Sequence, residues 1–175
     1  MSGKKLLLIS ANRFIIPYPV YPLGISYLFS YLKDHLPHYK IRIFDFNLQS
    51  HDELKELLQE FAPDYIGLSL RNVDDVNFYT QESFISGYAG IMETIRNCYK
   101  CPVIIGGSAF SIYPEEFFHM LNPDFGIKGE GEESFCRLLT SMDQGRVDLT
   151  IEGLVYLHDD QVVVNSRSNF IRTPG

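Results

Sequence analysis

Short apolar runs of strand length alternate along this chain with stretches of helical period, and that alternation restricts the fold more than any other feature. Leu6-Leu7-Leu8-Ile9-Ser10 is a nearly unbroken apolar run, as expected of a parallel strand covered on both faces. From Leu23, the residues Ile25, Leu28, Phe29, Leu32 and Leu36 recur at helical spacing. Ile41, Ile43, Phe44 and Phe46 form a second strand, and Leu54, Leu57, Leu58 and Phe61 a helical stripe that Pro63 ends. Residues 65–70 read as a third strand. Ile85, Tyr88, Met92 and Ile95 predict one face of the next helix, with Phe84, Ala89 and Ile91 beside it. Val103-Ile104-Ile105 is a fourth strand, cut off by Gly106-Gly107, and Pro114 suits the first turn of a helix carrying Phe117, Phe118 and Leu121. Phe125-Gly126-Ile127 is a short fifth strand. Phe135, Leu138, Leu139 and Met142 define a last helix that Gly145 can close.

Five strand–helix units in series predict an α/β fold, a doubly wound parallel sheet with helices on both faces. Right-handed crossovers and the 175-residue length favour a Rossmann-like, five-stranded sheet in the flavodoxin-like order 2-1-3-4-5. Residues 154–157 and 162–164, joined through His158-Asp159-Asp160-Gln161, predict a C-terminal β-hairpin appended to it. The expected division is residues 1–150 as the α/β domain and residues 151–175 as hairpin and linker. Arg172-Thr173-Pro174-Gly175 has the character of a linker toward a further domain.

Composition excludes some partners. Lysine and arginine total 15 against 22 aspartates and glutamates, a net charge of −7, which argues against nucleic acid because phosphate binding needs a basic face. No apolar run reaches bilayer-spanning length, so no membrane partner is expected. Lys4 and Lys5 before Leu6 resemble the start of a signal peptide, but the apolar stretch is too short and no cleavage site follows. Cys98, Cys101 and Cys136 build no disulfide framework, and an odd count suits a reducing, cytoplasmic location.

Ligands of doubly wound sheets bind beyond the carboxyl ends of the strands, so the loops there carry the candidate site. Gly106-Gly107-Ser108-Ala109 follows strand four, where small residues leave backbone amides open to close approach; the same residues suit a tight turn with no ligand. Gly129-Glu130-Gly131-Glu132-Glu133 follows strand five, where the glycines permit backbone contact and the glutamates complement the helix dipole. Strand three runs abruptly into Ser69, Leu70, Arg71 and Asn72. These polar groups suit a ligand edge, or a polar cap with Arg71 paired to Asp74 or Asp75. Residues 11–22 make a long first loop rich in aromatic, aliphatic and proline residues, able to cover a flat apolar ligand or to pack on a neighbour.

Other signals carry less. Cys98-Tyr99-Lys100-Cys101 has redox spacing but falls at the end of a helix, where no dipole lowers a thiol pKa. The five histidines show no helical metal-ligand spacing. There is no Walker motif, no Gly-x-Ser-x-Gly elbow and no dinucleotide fingerprint.

Together the loops resemble those of the N-terminal cobalamin-binding domain of radical S-adenosylmethionine proteins. The resemblance rests on Leu6-Leu7-Leu8-Ile9 with a proline-rich loop reaching Tyr21-Pro22-Leu23-Gly24, on Val103-Ile104-Ile105-Gly106-Gly107, and on Gly126-Ile127-Lys128-Gly129-Glu130-Gly131-Glu132. Gly153-Leu154-Val155-Tyr156 resembles the short hairpin leading out of that domain. The resemblance implies that cobalamin is the cofactor and a partner of this chain, with its nucleotide tail at the sheet's carboxyl edge. Gly106, Gly107 and Ser108 would flank that tail, Ser69, Arg71 and Asn72 would lie opposite, and Asn12 would sit near the lower face of the corrin. It also implies an iron–sulfur cluster and S-adenosylmethionine in a C-terminal radical domain or partner chain. The chain departs from the methionine synthase and mutase pattern: Asp-x-His-x-x-Gly is absent, so no imidazole of that motif can ligate cobalt. Two alternatives remain open, a domain of this type that has lost its cofactor and serves only as a docking module, and a flavin- or nucleotide-binding domain on the same fold.

Two expectations follow from the residues alone. The chain lacks Cys-x-x-x-Cys-x-x-Cys, so reconstitution with iron and sulfide should yield no S-adenosylmethionine-cleaving cluster, and a stable active cluster would refute that reading. Gly107→Trp should abolish cofactor binding while leaving the fold largely intact, if Gly107 borders an open channel.

Overall fold

The computed structural model describes residues 3–13, 20–71 and 81–167. Strands β1 (Lys5–Ser10), β2 (Lys40–Asp45), β3 (Tyr65–Ser69), β4 (Val103–Gly106), β5 (Phe125–Ile127), β6 (Leu154–His158) and β7 (Gln161–Val164) form one sheet in the order β2-β1-β3-β4-β5-β6-β7. The first five are parallel, in the expected order, and the C-terminal hairpin joins antiparallel at β5. Val155 and Leu154 are fully buried on opposite faces, so the hairpin is continuous with the core.

Successive strand residues alternate between the faces. Leu7, Ile9, Ile66, Leu68, Val103 and Ile105 face one way. There they meet Leu54 and Leu58 of α2 (His51–Phe61), Tyr88, Ile91, Met92 and Ile95 of α3 (Gln81–Cys98), Phe110 of α4 (Ser108–Ile112) and Phe117 and Phe118 of α5 (Pro114–Leu121). Leu6, Leu8, Tyr65 and Ile104 face the other way, against Ile25 and Leu32 of α1 (Leu23–His35) and Phe135, Leu138 and Leu139 of α6 (Glu132–Asp143). Among the described residues only these two helices cover the second face, and that asymmetry positions the site.

Local chemistry sets the helix ends. Ser50 and Glu53 form a reciprocal capping box at α2, Pro114 opens α5, and Gly145, at φ +78°, follows α6 and donates its N–H to the carbonyl of Met142. One reading needs correction: Ile85 is 39 % exposed, and Ile91 takes its place on the buried face of α3. A short helix not expected from the sequence, α4, follows the double glycine at once, ahead of the helix that Pro114 opens; Phe110 of α4 packs where a Cβ at Gly126 would stand, 2.3 Å from its Cζ.

At the amino end of the sheet, Asp143 ties α6 to two strands. Its carboxylate accepts from Tyr39 Oη at 2.6 Å and Tyr65 Oη at 2.8 Å, and Lys4 Nζ stands 3.8 Å away. Burial, then the adjacent carboxylate, pushes both phenols above their ordinary range, so they remain donors at neutral pH. Asp143→Ala removes the shared acceptor and should destabilise the fold by about 2 kcal/mol, measured by urea unfolding; a change below about 0.5 kcal/mol, within the range of ordinary surface substitutions, would show the staple to be incidental.

Candidate functional site

A cavity of about 460 Å³ opens at the carboxyl edge of β3, β4 and β5 and runs down between the sheet and helices α1 and α6. Its volume falls in the range typical of small-molecule sites, about 300–1,000 Å³. Strand register gives its depth. Ser69 and Gly106 pair at the edge, and Leu8, Gly67 and Ile104 form a row two residues lower, roughly 7 Å down at strand spacing. The helices run antiparallel to the strands beside it, so Gly24 and Glu132 lie at the mouth while Leu28 and Phe135 lie one turn deeper.

The rim is small-residue backbone. Gly106, Gly107, Ser108, Gly129, Glu130 and Gly131 all line it, as does Ser69 from β3. Gly107 adopts φ +97°, and a Cβ there would stand 2.4 Å from the Leu70 carbonyl oxygen and 2.9 Å from its amide nitrogen. The backbone of Leu70 is committed on both sides: its N–H donates to Gly106 O at 2.8 Å, and its carbonyl accepts from Ala109 N at 3.0 Å. Gly107 is therefore a structural necessity as well as a rim residue. Gly107→Trp cannot report on the channel alone, because backbone, not open space, meets its side chain. The backbone of Leu70 thus argues against the expectation that the fold would survive that change.

Ser111 joins the two glycine loops. Its hydroxyl donates to Gly107 O at 2.8 Å and accepts from Gly129 N at 2.8 Å. Gly129, at φ +85°, lies against the side chain of Arg167, whose guanidinium donates to the Glu130 carbonyl. Ser108 Oγ donates to Arg71 O at 2.6 Å, which pins the β3 loop to α4.

Other expected site residues lie elsewhere. Leu70 is fully buried on the opposite face of the sheet. Arg71 is exposed and donates to Tyr21 O at 3.3 Å. Asn12 is 3 % exposed at the end of β1, outside the cavity lining, and Asn72, Asp74 and Asp75 fall outside the described residues. Gly24, Leu28, Gly67, Ser111 and Phe135 were missed. A glycine inside an apolar strand, as Gly67 is, signals close approach of another group; here Leu8 Cδ2 and Phe135 Cζ would be 2.8 and 3.0 Å from its Cβ. Cys98 ends α3 and Cys101 precedes β4 as expected. Burial pushes the Cys101 thiol up to about 12, the opposite of what a redox pair needs.

A doubly wound sheet with a deep apolar cavity at its carboxyl edge defines a cofactor-binding α/β domain. The sequence profile of the B12 binding domain matches residues 12–139, and the chain belongs to that family. It is 29% identical over 99 residues to tryptophan 2-C-methyltransferase of Streptomyces laurentii, a match covering 54% of this chain and 16% of that protein. The structure of the radical S-adenosylmethionine methyltransferase TsrM from Kitasatospora setae, with cobalamin and an iron–sulfur cluster bound, superposes with a TM-score of 0.82 at 26% identity, over 95% of this chain and 29% of that one. OxsB, a cobalamin-dependent S-adenosylmethionine radical enzyme, shares the fold at a TM-score of 0.72 and 24% identity, over 96% of this chain and 23% of that one. The chain thus spans less than a third of the length of each. Among the described residues, no helix is long and apolar enough to cross a membrane.

A Cβ at Gly24 would meet nothing within 4 Å, so this position tests the cavity without straining the backbone. Gly24→Trp should keep the melting temperature of the parent and weaken cofactor binding by about 100-fold, roughly 2.7 kcal/mol. Gly107→Ala should lower stability by a few kcal/mol through its positive φ and the clash with Leu70. Thermal melts beside a binding titration separate the two, and normal binding by Gly24→Trp would remove the cavity from the site.

Proposed function

We propose that this chain is a cobalamin-binding module serving a radical S-adenosylmethionine enzyme, in methyl transfer or related radical chemistry, and is not catalytic alone. The carrying observation is the cavity itself: an apolar shaft two strand residues deep, opening through a rim of glycine and serine. A nucleotide tail would fit this form: the apolar shaft would take its base, and the Ser69 hydroxyl and the amides of the glycine loops would hold its phosphodiester at the rim, the Ser108 hydroxyl being committed to the Arg71 carbonyl. Gly106, Gly107, Gly129 and Gly131 allow that approach because they carry no side chain, and Ser111 holds the two loops at a fixed separation.

The site supports this reading over a flavin nucleotide. Among the described residues, no lysine, arginine or histidine lines the cavity, and the charged side chains that do are Glu130 and Glu132. A terminal phosphate dianion would face those carboxylates with the Arg167 guanidinium, already held by the Glu130 carbonyl at the lip, as its nearest described counter-charge, whereas a phosphodiester carries a single charge. The cavity also speaks against a purely docking role, since a domain without a ligand has no need of a shaft into its sheet.

When bound, the cofactor supplies cobalt-centred methyl-transfer or radical chemistry. The chain's contribution would be to hold the tail in the shaft with the residues of its rim and walls, and residues 11–22 hold no histidine. The cluster and S-adenosylmethionine belong, on this proposal, to a C-terminal radical domain or partner chain.

Titration of the protein with hydroxocobalamin should convert its absorbance to the base-off form. An unchanged free-cofactor spectrum at saturating protein would overturn the proposal.

A further inference from the structure

We infer that the cavity selects among cobamides by the chemistry of their lower base, accepting benzimidazole or phenol bases and rejecting adenine. The inference rests on the cobamide reading above and goes on to name the class of ligand.

Among the described residues, the lower half of the shaft offers no hydrogen-bonding side chain. Its walls are Leu28 and Ile104, and Leu8 and Phe135, packed over Gly67 of β3, close it below. Backbone groups offer nothing either. Leu8, Gly67 and Ile104 lie in the interior of the parallel ladder, paired on both sides through β2, β1, β3, β4 and β5, and Leu28 lies within α1. Serine hydroxyls and the two glutamates are confined to the mouth, at the level of Ser69, Ser108 and Glu132.

Chemistry then ranks the bases. A glycosylated benzimidazole drawn off cobalt keeps one unpaired ring nitrogen, and a phenol linked through oxygen keeps none. A glycosylated adenine has three free ring nitrogens and an exocyclic amine. In water all are hydrogen-bonded; in this shaft the additional nitrogens and the amine find no partner, and each buried polar group left unmatched weakens binding. Shape alone does not discriminate as strongly, because the flat purine is no larger than a dimethylated benzimidazole.

The test compares four ligands on the full chain by absorbance or calorimetric titration: hydroxocobalamin, its phenol-based and adenine-based counterparts, and cobinamide, which has no nucleotide. The benzimidazole and phenol forms should bind at least about tenfold tighter than the adenine form, roughly 1.4 kcal/mol. Equal affinity for the benzimidazole and adenine forms would overturn the inference while leaving cobalamin binding intact. Cobinamide binding as tightly as cobalamin would show the tail to lie outside the shaft, and failure of all four to bind would overturn the functional proposal itself. Leu28→Gln, which places an amide at the half-buried wall of the shaft, should narrow the preference by improving the adenine form. A variant that melts as the parent does and leaves the ratio unchanged would count against the shaft as the selector.

Discussion

The contact on which the site depends is the crossing of Gly107 over the backbone of Leu70. There β3 ends, β4 turns and α4 begins, all within one exchange of hydrogen bonds: Leu70 N–H to Gly106 O and Ala109 N–H to Leu70 O. Only a residue without a Cβ can press so close at positive φ. The turn sends Ser108 back toward the β3 loop and Ser111 toward the β5 loop. Three strand ends are therefore registered to one another before any ligand is involved, and the mouth of the cavity inherits its shape from the protein rather than from the cofactor.

The cavity below it follows from unequal helix cover. On one face α2, α3, α4 and α5 fill the space over the sheet with large side chains such as Phe110, Phe117 and Tyr88. On the other, α1 and α6 alone must cover the four strands β1, β3, β4 and β5. Both present small residues at their first turns, Gly24 in α1 and Gly131 just before α6. Tight packing resumes one turn lower, where Leu8 and Phe135 lean over Gly67. At the other, amino end of the sheet, Asp143 holds α6 to the phenols of Tyr39 and Tyr65.

Much of this was legible in the residues. Continuous apolar runs betray strands covered on both faces, which made the parallel order and the hairpin readable. The glycine loops after β4 and β5 were readable too, because a glycine pair at a strand end has few uses. What escaped was whatever depends on three-dimensional neighbours. Ser111 and Phe135 carry no local signal that separates a wall residue from an ordinary helix residue. Gly67 did carry one, hidden in an otherwise conventional strand. Leu70 and Asn12 lie outside the cavity lining, and for Leu70 the reason is its face: position at a strand end does not settle which way a side chain points, and a shift of one residue reverses it. Gly107 was placed correctly and misjudged, since sequence shows that a glycine is present but not what presses on it.

The hairpin has a consequence for how the domain is tethered. By adding β6 and β7 beside β5, it carries the chain out along the sheet and back, so that Arg167 rests on Gly129 and holds the Glu130 carbonyl. The last described residue is therefore at the lip of the cavity rather than at the far end of the strands. Any domain joined through a flexible segment from that point would have its search volume centred on the cofactor's edge. Its local concentration there would be set by the segment's length and not by its bulk abundance, and would fall slowly as that segment grew. A weak surface contact would then suffice to bring the two together repeatedly, and the pair could separate between encounters without being lost to one another.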